Sequence, residues 1–286
     1  MRQTDKIFLG KGGLGETPFL FTKRGFPPDS LSSSSPILVV RPHSGVSGDM
    51  LVAGLALMAG VGDVELGELC EAVGVAALAG SVRLESRSVE GIGGHGLVVD
   101  LPHEHAHRNM ADIAAIIEAG GLTGGAKALA VRAFGLLAEA EGEVHGRAAA
   151  EVTFHEVGAL DSILDVCLAA ALYDRLGPSR FVCGPLPLCD GVAKSAHGPL
   201  FTPAPAVLRL LSGVAVTGLA SVGETVTPTA IALLKAFGAE FGGWPDMVVT
   251  GRAVVYGSRL LPGVPNGAVF VRGRAPSLGA EGPVPR

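Results

Sequence analysis

The feature that most constrains the fold is an alternation, between about residues 37 and 272, of short β-branched runs with Ala- and Leu-rich stretches. ILVV has the length and composition of a buried strand, whereas AKALAVRAFGLLAEAEGEVHG has the period and alanine content of a helix. SVRLESRSV and GLVVDLP alternate like paired strands. The sequence therefore predicts an α+β fold: a single mixed α and β domain with paired strands and several Ala/Leu-rich helices.

The two ends of the chain differ from this core in composition. Residues 1–36 are rich in Gly, Pro and Ser without a sustained period, and residues 273–286 have the same character. Segments of this kind rarely bury enough apolar surface to fold. We expect a disordered leader over 1–36, a folded domain over 37–272 and a disordered tail over 273–286.

Composition excludes several classes of partner. A net charge of -5 with only 17% charged residues leaves no basic field for nucleic acid. No uncharged apolar run reaches the roughly 20 residues that a membrane-spanning helix needs. The four cysteines form no CxxC pair, which favours a reducing cytoplasm. We expect a cytoplasmic protein with no nucleic acid and no membrane partner.

Acidic and histidine side chains gather in the stretch EVTFHEVGALDSILDV. If the residues after Gly158 are helical, Asp161 and Asp165 are four apart and share a face, where their like charges repel unless a cation or solvent compensates them. His155 and Glu156 come just before the helix and could reach the same side. One nitrogen and several oxygens suit a divalent metal. The alternative is a solvated helix face beside a hydrogen-bonded histidine.

Three histidines at alternate positions occur in HEHAH. On an extended segment His103, His105 and His107 project to one side, so they could bind one transition metal together. Imidazole binds nickel, zinc and copper alike, so the pattern does not select the ion. The alternative is a flexible solvated loop.

The stretch HSGVSGDM joins the first strand to the first helix. Small residues before a helix leave backbone N–H groups facing outward, with Ser47 as a candidate N-cap, and such a start attracts anions. The lysine of a P-loop is absent, so an ordinary tight turn is the alternative. The candidate cofactor-binding residues are Ser44, Gly45, Ser47, Gly48 and Asp49.

Two further segments place polar side chains in loops at the ends of elements. Lys194 and His197 lie in KSAHGPLFTPAPAVLRLLSG, whereas Glu224, Thr227 and Thr229 lie in GETVTPTAIALLKAF. Each segment has a proline near a helix start, where a missing N–H costs nothing. Binding sites are often built at such positions.

In combination and in this order, these segments resemble the nickel insertion protein of nickel-pincer cofactor biosynthesis, the LarC family. The resemblance covers about residues 37–272. FHEVGALDSI and TPAPA are its most specific parts, and the histidine tract is the least specific.

The resemblance implies a cyclometallase of the lyase class, a nickel chelatase. Its substrates would be nickel and pyridinium-3,5-bisthiocarboxylic acid mononucleotide, joined by one nickel–carbon and two nickel–sulfur bonds in a CTP-dependent reaction. Loss of the ring proton needs a base, for which His155, Glu156 and His197 are candidates. The candidate nickel ligands are His103, His105, His107, His155, Asp161 and Asp165.

The chain departs from the family pattern at three points. Arg41 stands where relatives commonly have Asp, and Ala230 stands for a usual Gly. The chain also stops where longer members continue into a CTP-binding domain. We therefore expect a partner, a separately encoded C-terminal LarC part that binds CTP with a divalent cation.

Two other functions fit the same residues. A metal-dependent hydrolase of a phosphorylated small molecule would use the histidine and carboxylate groups to activate water. A non-enzymatic nickel chaperone would bind metal through the histidine tract alone. Precursor conversion, phosphate release and metal binding without either reaction distinguish the three.

Overall fold

The computed structural model describes residues 36–75, 80–101, 108–154, 157–195 and 198–276. Within these ranges it confirms the predicted mixed α and β fold, with seven α-helices and a seven-stranded sheet. Most of the predicted leader and tail lies outside the described residues, so the domain boundaries stay predictions.

The main sheet is mixed, and β1 lies near its centre. β1 pairs parallel to β6 and antiparallel to β13. Its residues alternate, because Leu38 and Val40 join the main core while Ile37 and Val39 join a small cluster on the other face. In order across the sheet, the strands are β11 (Glu240–Phe241), β6 (Arg180–Cys183), β1 (Ile37–Pro42), β13 (Ala268–Arg274), β12 (Val248–Val255), β3 (Ile92–Val99) and β2 (Val82–Val89).

The helices cover one face of this sheet. They are α1 (Gly48–Ala59), α2 (Asp63–Ala72), α3 (Met110–Ala119), α4 (Gly124–His145), α5 (Leu160–Leu176), α6 (Pro205–Leu210) and α7 (Pro228–Ala236), with a 3₁₀ turn at Ala149–Glu151. α1 is buried nearly all round because it packs between the sheet and α5. No helix in the described part of the chain is both long and apolar enough to cross a membrane.

The helix expected after Gly158 is α5, and one face of it is apolar and buried. Leu160, Ile163, Leu164, Cys167 and Leu168 are all buried, and α5 packs against both α1 and α4. Asp161 and Asp165 lie near the start of α5, outside this apolar face. The packing of α5 therefore fixes where its carboxylates emerge.

Short strands appear where the sequence predicted a loop. The composition of RFVCGPLPL predicts one strand that leads into a long Gly/Pro loop over residues 184–205. In the structure the segment divides into β6 and β7 (Leu186–Leu188) at Gly184 and Pro185, because proline cannot donate to a sheet hydrogen bond. The expected loop over 184–205 contains a hairpin. The remaining strand pairs are β4 (Arg108–Asn109) with β5 (Thr153–Phe154), β7 with β10 (Val216–Gly218), and β8 (Gly191–Ser195) with β9 (Gly198–Thr202).

The four cysteines are free and buried. Burial raises the pKa of Cys70 to about 11 and the pKa of Cys167 and Cys183 to about 12. These thiols are neutral and pack as small hydrophobic groups. Cys189 is also buried, and its sulfur donates to the Gly223 carbonyl oxygen at 3.2 Å.

Candidate functional site

Three helix starts meet at a cavity of about 450 Å³. The cavity lies where β1, β3 and β12 end, and the first turns of α1 and α5 and the segment that leads into α7 form its walls. Its polar lining residues are Ser44, Ser47, Asp49, Asp161, Ser162, Asp165, Glu224, Thr225, Thr227, Thr229, Ser258 and Arg259, and the apolar part includes Val46, Met50, Leu97, Val99 and Leu261.

The turn between β1 and α1 is pinned to the segment before α7. Gly45 has a φ of 132°, and a Cβ there would overlap the Thr225 carbonyl oxygen. That oxygen accepts the Val46 N–H at 2.9 Å, and Val46 forms a parallel bridge with Val226. Glycine is therefore required by both conformation and close approach. One short segment aligns the starts of α1 and α7.

Ser44 fixes the other side of this turn. It is buried, and its hydroxyl oxygen accepts the Gly267 N–H at 2.9 Å. The Ser44 N–H in turn donates to the Gly267 carbonyl oxygen at 3.4 Å. The Ser44 hydroxyl therefore keeps its proton and a second lone pair for a ligand.

The start of α1 is open. Ser47 occupies the N-cap position, as predicted, but its hydroxyl donates to the Asp49 carboxylate and accepts no N–H of the helix. The expected side-chain cap is wrong, because the Ser47 side chain is oriented toward the Asp49 carboxylate and its oxygen makes no bond to a helix N–H. The first intrahelical bond runs from Leu51 N–H to Ser47 O. The N–H groups before Leu51 are therefore free of intrahelical partners.

Four of the five residues expected to bind the cofactor line the cavity, and Gly48 does not. Gly48 instead lies against the side chain of Asp165, since a Cβ on it would overlap the Asp165 carboxylate. The absence of a side chain at Gly48 lets α5 bring this carboxylate to the first turn of α1.

Three carboxylates converge at this point. Asp49 comes from α1, and Asp161 and Asp165 come from the predicted shared face of α5. Burial, then the charge of Asp49 and then that of Asp161, raises the pKa of Asp165 well above its ordinary value. Asp165 has no hydrogen-bond partner among the described residues. A proton or a cation beside Asp165 would relieve this repulsion.

The donor set is incomplete within the described residues. No group of three or more His, Cys, Asp or Glu side chains there has the arrangement of a metal site. His155 and Glu156, which precede α5 by a few residues, lie outside the described residues. His103, His105, His107 and His197 also lie outside them.

The start of α7 forms the opposite wall. Thr227, Thr229 and Glu224, which the sequence placed at an element end, all line the cavity. Thr227 Oγ1 accepts the Ala230 N–H at 3.3 Å, and Pro228 occupies the first helical position. This helix start is closed by its own residues. Lys194, which the sequence also indicated as a candidate, lies in β8.

Sequence reasoning missed Arg259 and Ser258, which line the cavity from the loop after β12. Arg259 Nη1 forms an ion pair with Glu224 Oε2 at 2.7 Å, and the Arg259 side chain is 68% exposed. The loop carries no motif and no periodicity. Only its position beside the α7 segment in the folded chain makes it part of the site.

The two substitutions relative to the family pattern leave the cavity wall intact. Arg41 lies on the sheet face away from the helices, where Nη1 donates to the Gly242 carbonyl oxygen at 2.8 Å and the guanidinium lies 5.5 Å from the Trp244 ring centroid. Arg41 does not line the cavity. Ala230 is fully buried in α7.

Comparisons with known proteins identify the family of the chain. The profile of the nickel insertion protein family matches residues 38–280. A protein of Geobacter sulfurreducens that bears the same family name is 43% identical over 233 residues, and one of Geobacter metallireducens is 40% identical over 230 residues. Each alignment covers 80% of this chain and 59% of the relative. No solved structure matches the chain.

The chain thus spans about three fifths of the length of the relatives it matches. The matched part includes every described residue that lines the cavity. The three carboxylates and the three helix starts therefore belong to the matched region.

Proposed function

Because the chain belongs to the nickel insertion protein family, we propose that it binds nickel through Asp161 and Asp165, with His155 as a further ligand, and inserts it into pyridinium-3,5-bisthiocarboxylic acid mononucleotide. The observation that carries this proposal is the convergence of Asp49, Asp161 and Asp165 on one cavity, with Asp165 lacking a hydrogen-bond partner among the described residues. Nickel is the cargo of this reaction, so the protein must hold the ion and then release it.

The chemistry of the donors suits that task. Carboxylate oxygens bind a divalent ion without the tight, closed shell that four thiolates form. The described cysteines are buried away from the cavity lining, so they do not compete for nickel there. A cation beside Asp165 would also offset the repulsion from Asp49 and Asp161. The substrate's two sulfurs would then take over coordination of the ion.

A base must accept the ring proton when the nickel–carbon bond forms. We assign this role to His155, Glu156 or His197, because each carries a group that can take a proton near neutral pH when its environment is tuned. His155 and Glu156 precede Asp161 by only a few residues. Nickel held at Asp161 and Asp165 would therefore lie within a short stretch of chain from two candidate bases.

The reaction we propose depends on CTP bound elsewhere. The aligned relatives extend well beyond the region matched here. We assign CTP and its divalent cation to a C-terminal LarC part that acts as a partner of this chain. An assay of the activity must therefore supply that partner.

We propose a capture role for His103, His105 and His107. A cluster of imidazoles on a short tract favours loading of nickel over fixed catalytic geometry. Replacing all three with Ala should lower nickel loading at limiting nickel, while insertion survives at high nickel. Loss of insertion at saturating nickel would contradict this division of roles.

The decisive experiment compares Asp161→Asn and Asp165→Asn in a complete reaction. The assay contains the chain, the CTP-binding part, CTP, nickel and precursor, and it follows cofactor formation by mass spectrometry. Each variant keeps the side-chain shape and removes the charge, so we expect insertion to fall by at least about 100-fold. Asp246→Asn is the matched control, because Asp246 is exposed and does not line the cavity.

The same samples separate the alternatives. Nickel affinity measured by calorimetry should fall in both cavity variants and stay unchanged in the Asp246 control. Phosphate release from model esters would indicate a hydrolase, and nickel binding without conversion of the precursor would indicate a chaperone. Near-wild-type cofactor yield from both Asn variants would show that Asp161 and Asp165 form only a solvated helix face.

A further inference from the structure

We infer that Arg259 anchors the phosphate end of the substrate and that Glu224 is the resting partner which that phosphate displaces. The inference rests on the proposed function for the identity of the ligand as a mononucleotide. It places the phosphate on the α7 side of the cavity, whereas the sequence alone suggested the start of α1.

Charge is divided unequally over the cavity. Asp49, Asp161 and Asp165 occupy the side formed by α1 and α5. Arg259 is the single basic side chain among the described residues that line the cavity. A phosphate next to the three carboxylates would meet strong repulsion in a partly buried space, despite the free N–H groups of α1. The side that carries Arg259 is therefore the favourable one for an anion.

The α7 wall also offers uncommitted hydroxyl groups. Thr229 lines the cavity, and its hydroxyl makes no hydrogen bond with the described residues, so this hydroxyl is available to a ligand. Thr225 and Ser258 line the same side. Together with Arg259 they supply the donors that a phosphate uses.

The ion pair between Arg259 and Glu224 is suited to exchange. Arg259 is 68% exposed on its side chain and Glu224 is 24% exposed, so solvent screens the attraction and the pair contributes little to stability. One Arg259 nitrogen contacts Glu224, and the planar guanidinium has further N–H groups that can hold a phosphate in bidentate fashion. A doubly charged phosphate should therefore outcompete the single carboxylate. Glu224 in turn discriminates against weaker anions.

The test uses the full chain without nickel, so its result is independent of whether insertion occurs. Ribose 5-phosphate and uncharged ribose serve as probes, and binding is measured by ligand-observed NMR titration. Arg259→Gln should weaken ribose 5-phosphate binding by at least about tenfold, because a charge-assisted hydrogen bond is lost. Glu224→Gln should keep or tighten binding, since it removes the competitor and one negative charge.

If Arg259 binds the phosphate, Arg259→Gln weakens binding and Glu224→Gln does not. If the ion pair is only structural, both substitutions have the same effect. Arg252→Gln is the control for net charge, because Arg252 is exposed on β12 outside the cavity lining, and it should bind like the wild type. Equal weakening by Arg259→Gln and Glu224→Gln would overturn the inference. So would unchanged binding in Arg259→Gln, or a wild type that does not prefer ribose 5-phosphate to ribose.

Discussion

The starts of α1 and α7 face the same cavity, but only one of them is closed. At α7, Thr227 accepts an N–H of the first turn and Pro228 has no N–H to satisfy. At α1, Ser47 turns its hydroxyl to Asp49, so the first turn keeps its N–H groups. Two neighbouring helix starts in one fold thus use their first residues for different purposes.

We interpret this difference as the contrast between a helix start with a structural role and one that faces the proposed nickel site. Completing the cap of a helix contributes about 1 kcal/mol, and α1 forgoes that contribution. The first turn of α1 also contains Gly48, which leaves room for the Asp165 carboxylate. Burial and the two neighbouring aspartates raise the pKa of this carboxylate. Natural chains keep such unfavourable arrangements mainly where function needs them. The comparison therefore favours α1 and α5 as the nickel end of the cavity.

The largest effect should follow from breaking the link between the two starts. Gly45→Ala places a Cβ on the Thr225 carbonyl oxygen and forces a non-glycine residue to a φ of 132°. We expect a loss of at least about 3 kcal/mol in the free energy of unfolding, measured by urea denaturation.

Gly135→Ala is the matched control for that change. Gly135 lies within α4 with nothing near its absent Cβ, so alanine should stabilise the protein by up to about 1 kcal/mol. If Gly45→Ala unfolded at the same urea concentration as the wild type, the turn would not be pinned as described.

A smaller effect should distinguish the two N-cap residues. Thr227→Ala removes a side-chain cap and should cost about 1–2 kcal/mol. Ser47→Ala removes no cap bond and should change stability by less than about 0.5 kcal/mol. Thermal melts of both variants provide the measurement. Equal destabilisation would show that Ser47 caps α1 in solution.

The sequence predicted much of the framework because its signals are local. The period of α5, the paired strands β2 and β3, and the β1 to α1 connection all follow from patterns of a few residues. The hairpin of β8 and β9 was missed because its glycines and prolines also fit a loop. The strand order was not predictable, since pairing such as β1 between β6 and β13 depends on contacts far apart in the chain.

The site was predictable only in part for the same reason. The shared face of Asp161 and Asp165 is a four-residue spacing, so the sequence contains it. The approach of Asp49 to Asp165 and the pairing of Arg259 with Glu224 join residues far apart in sequence. The bond from the Ser47 hydroxyl to Asp49 could not be predicted, because it depends on the rotamer of Ser47. Packing decides these features, and no single motif encodes them.

The smallest expected effect concerns Asp165 in the proposed nickel site and is measured as a change in protein stability with pH. Asp165 has a pKa raised by burial, by Asp49 and by Asp161, so between its ordinary value and the raised one the folded chain holds a proton that the unfolded chain has lost. The free energy of unfolding of the metal-free protein should therefore fall as pH rises through this window. Asp165→Asn removes the titration, so its Tm should match the wild type at acid pH and exceed it by about 2–4 °C above the window, the shift given by roughly 1 kcal/mol. Because other carboxylates titrate too, the quantity to measure is the difference in Tm between variant and wild type at each pH. Adding nickel should raise the Tm of the wild type more than that of the variant, and a pH-independent difference would mean that Asp165 keeps one protonation state throughout.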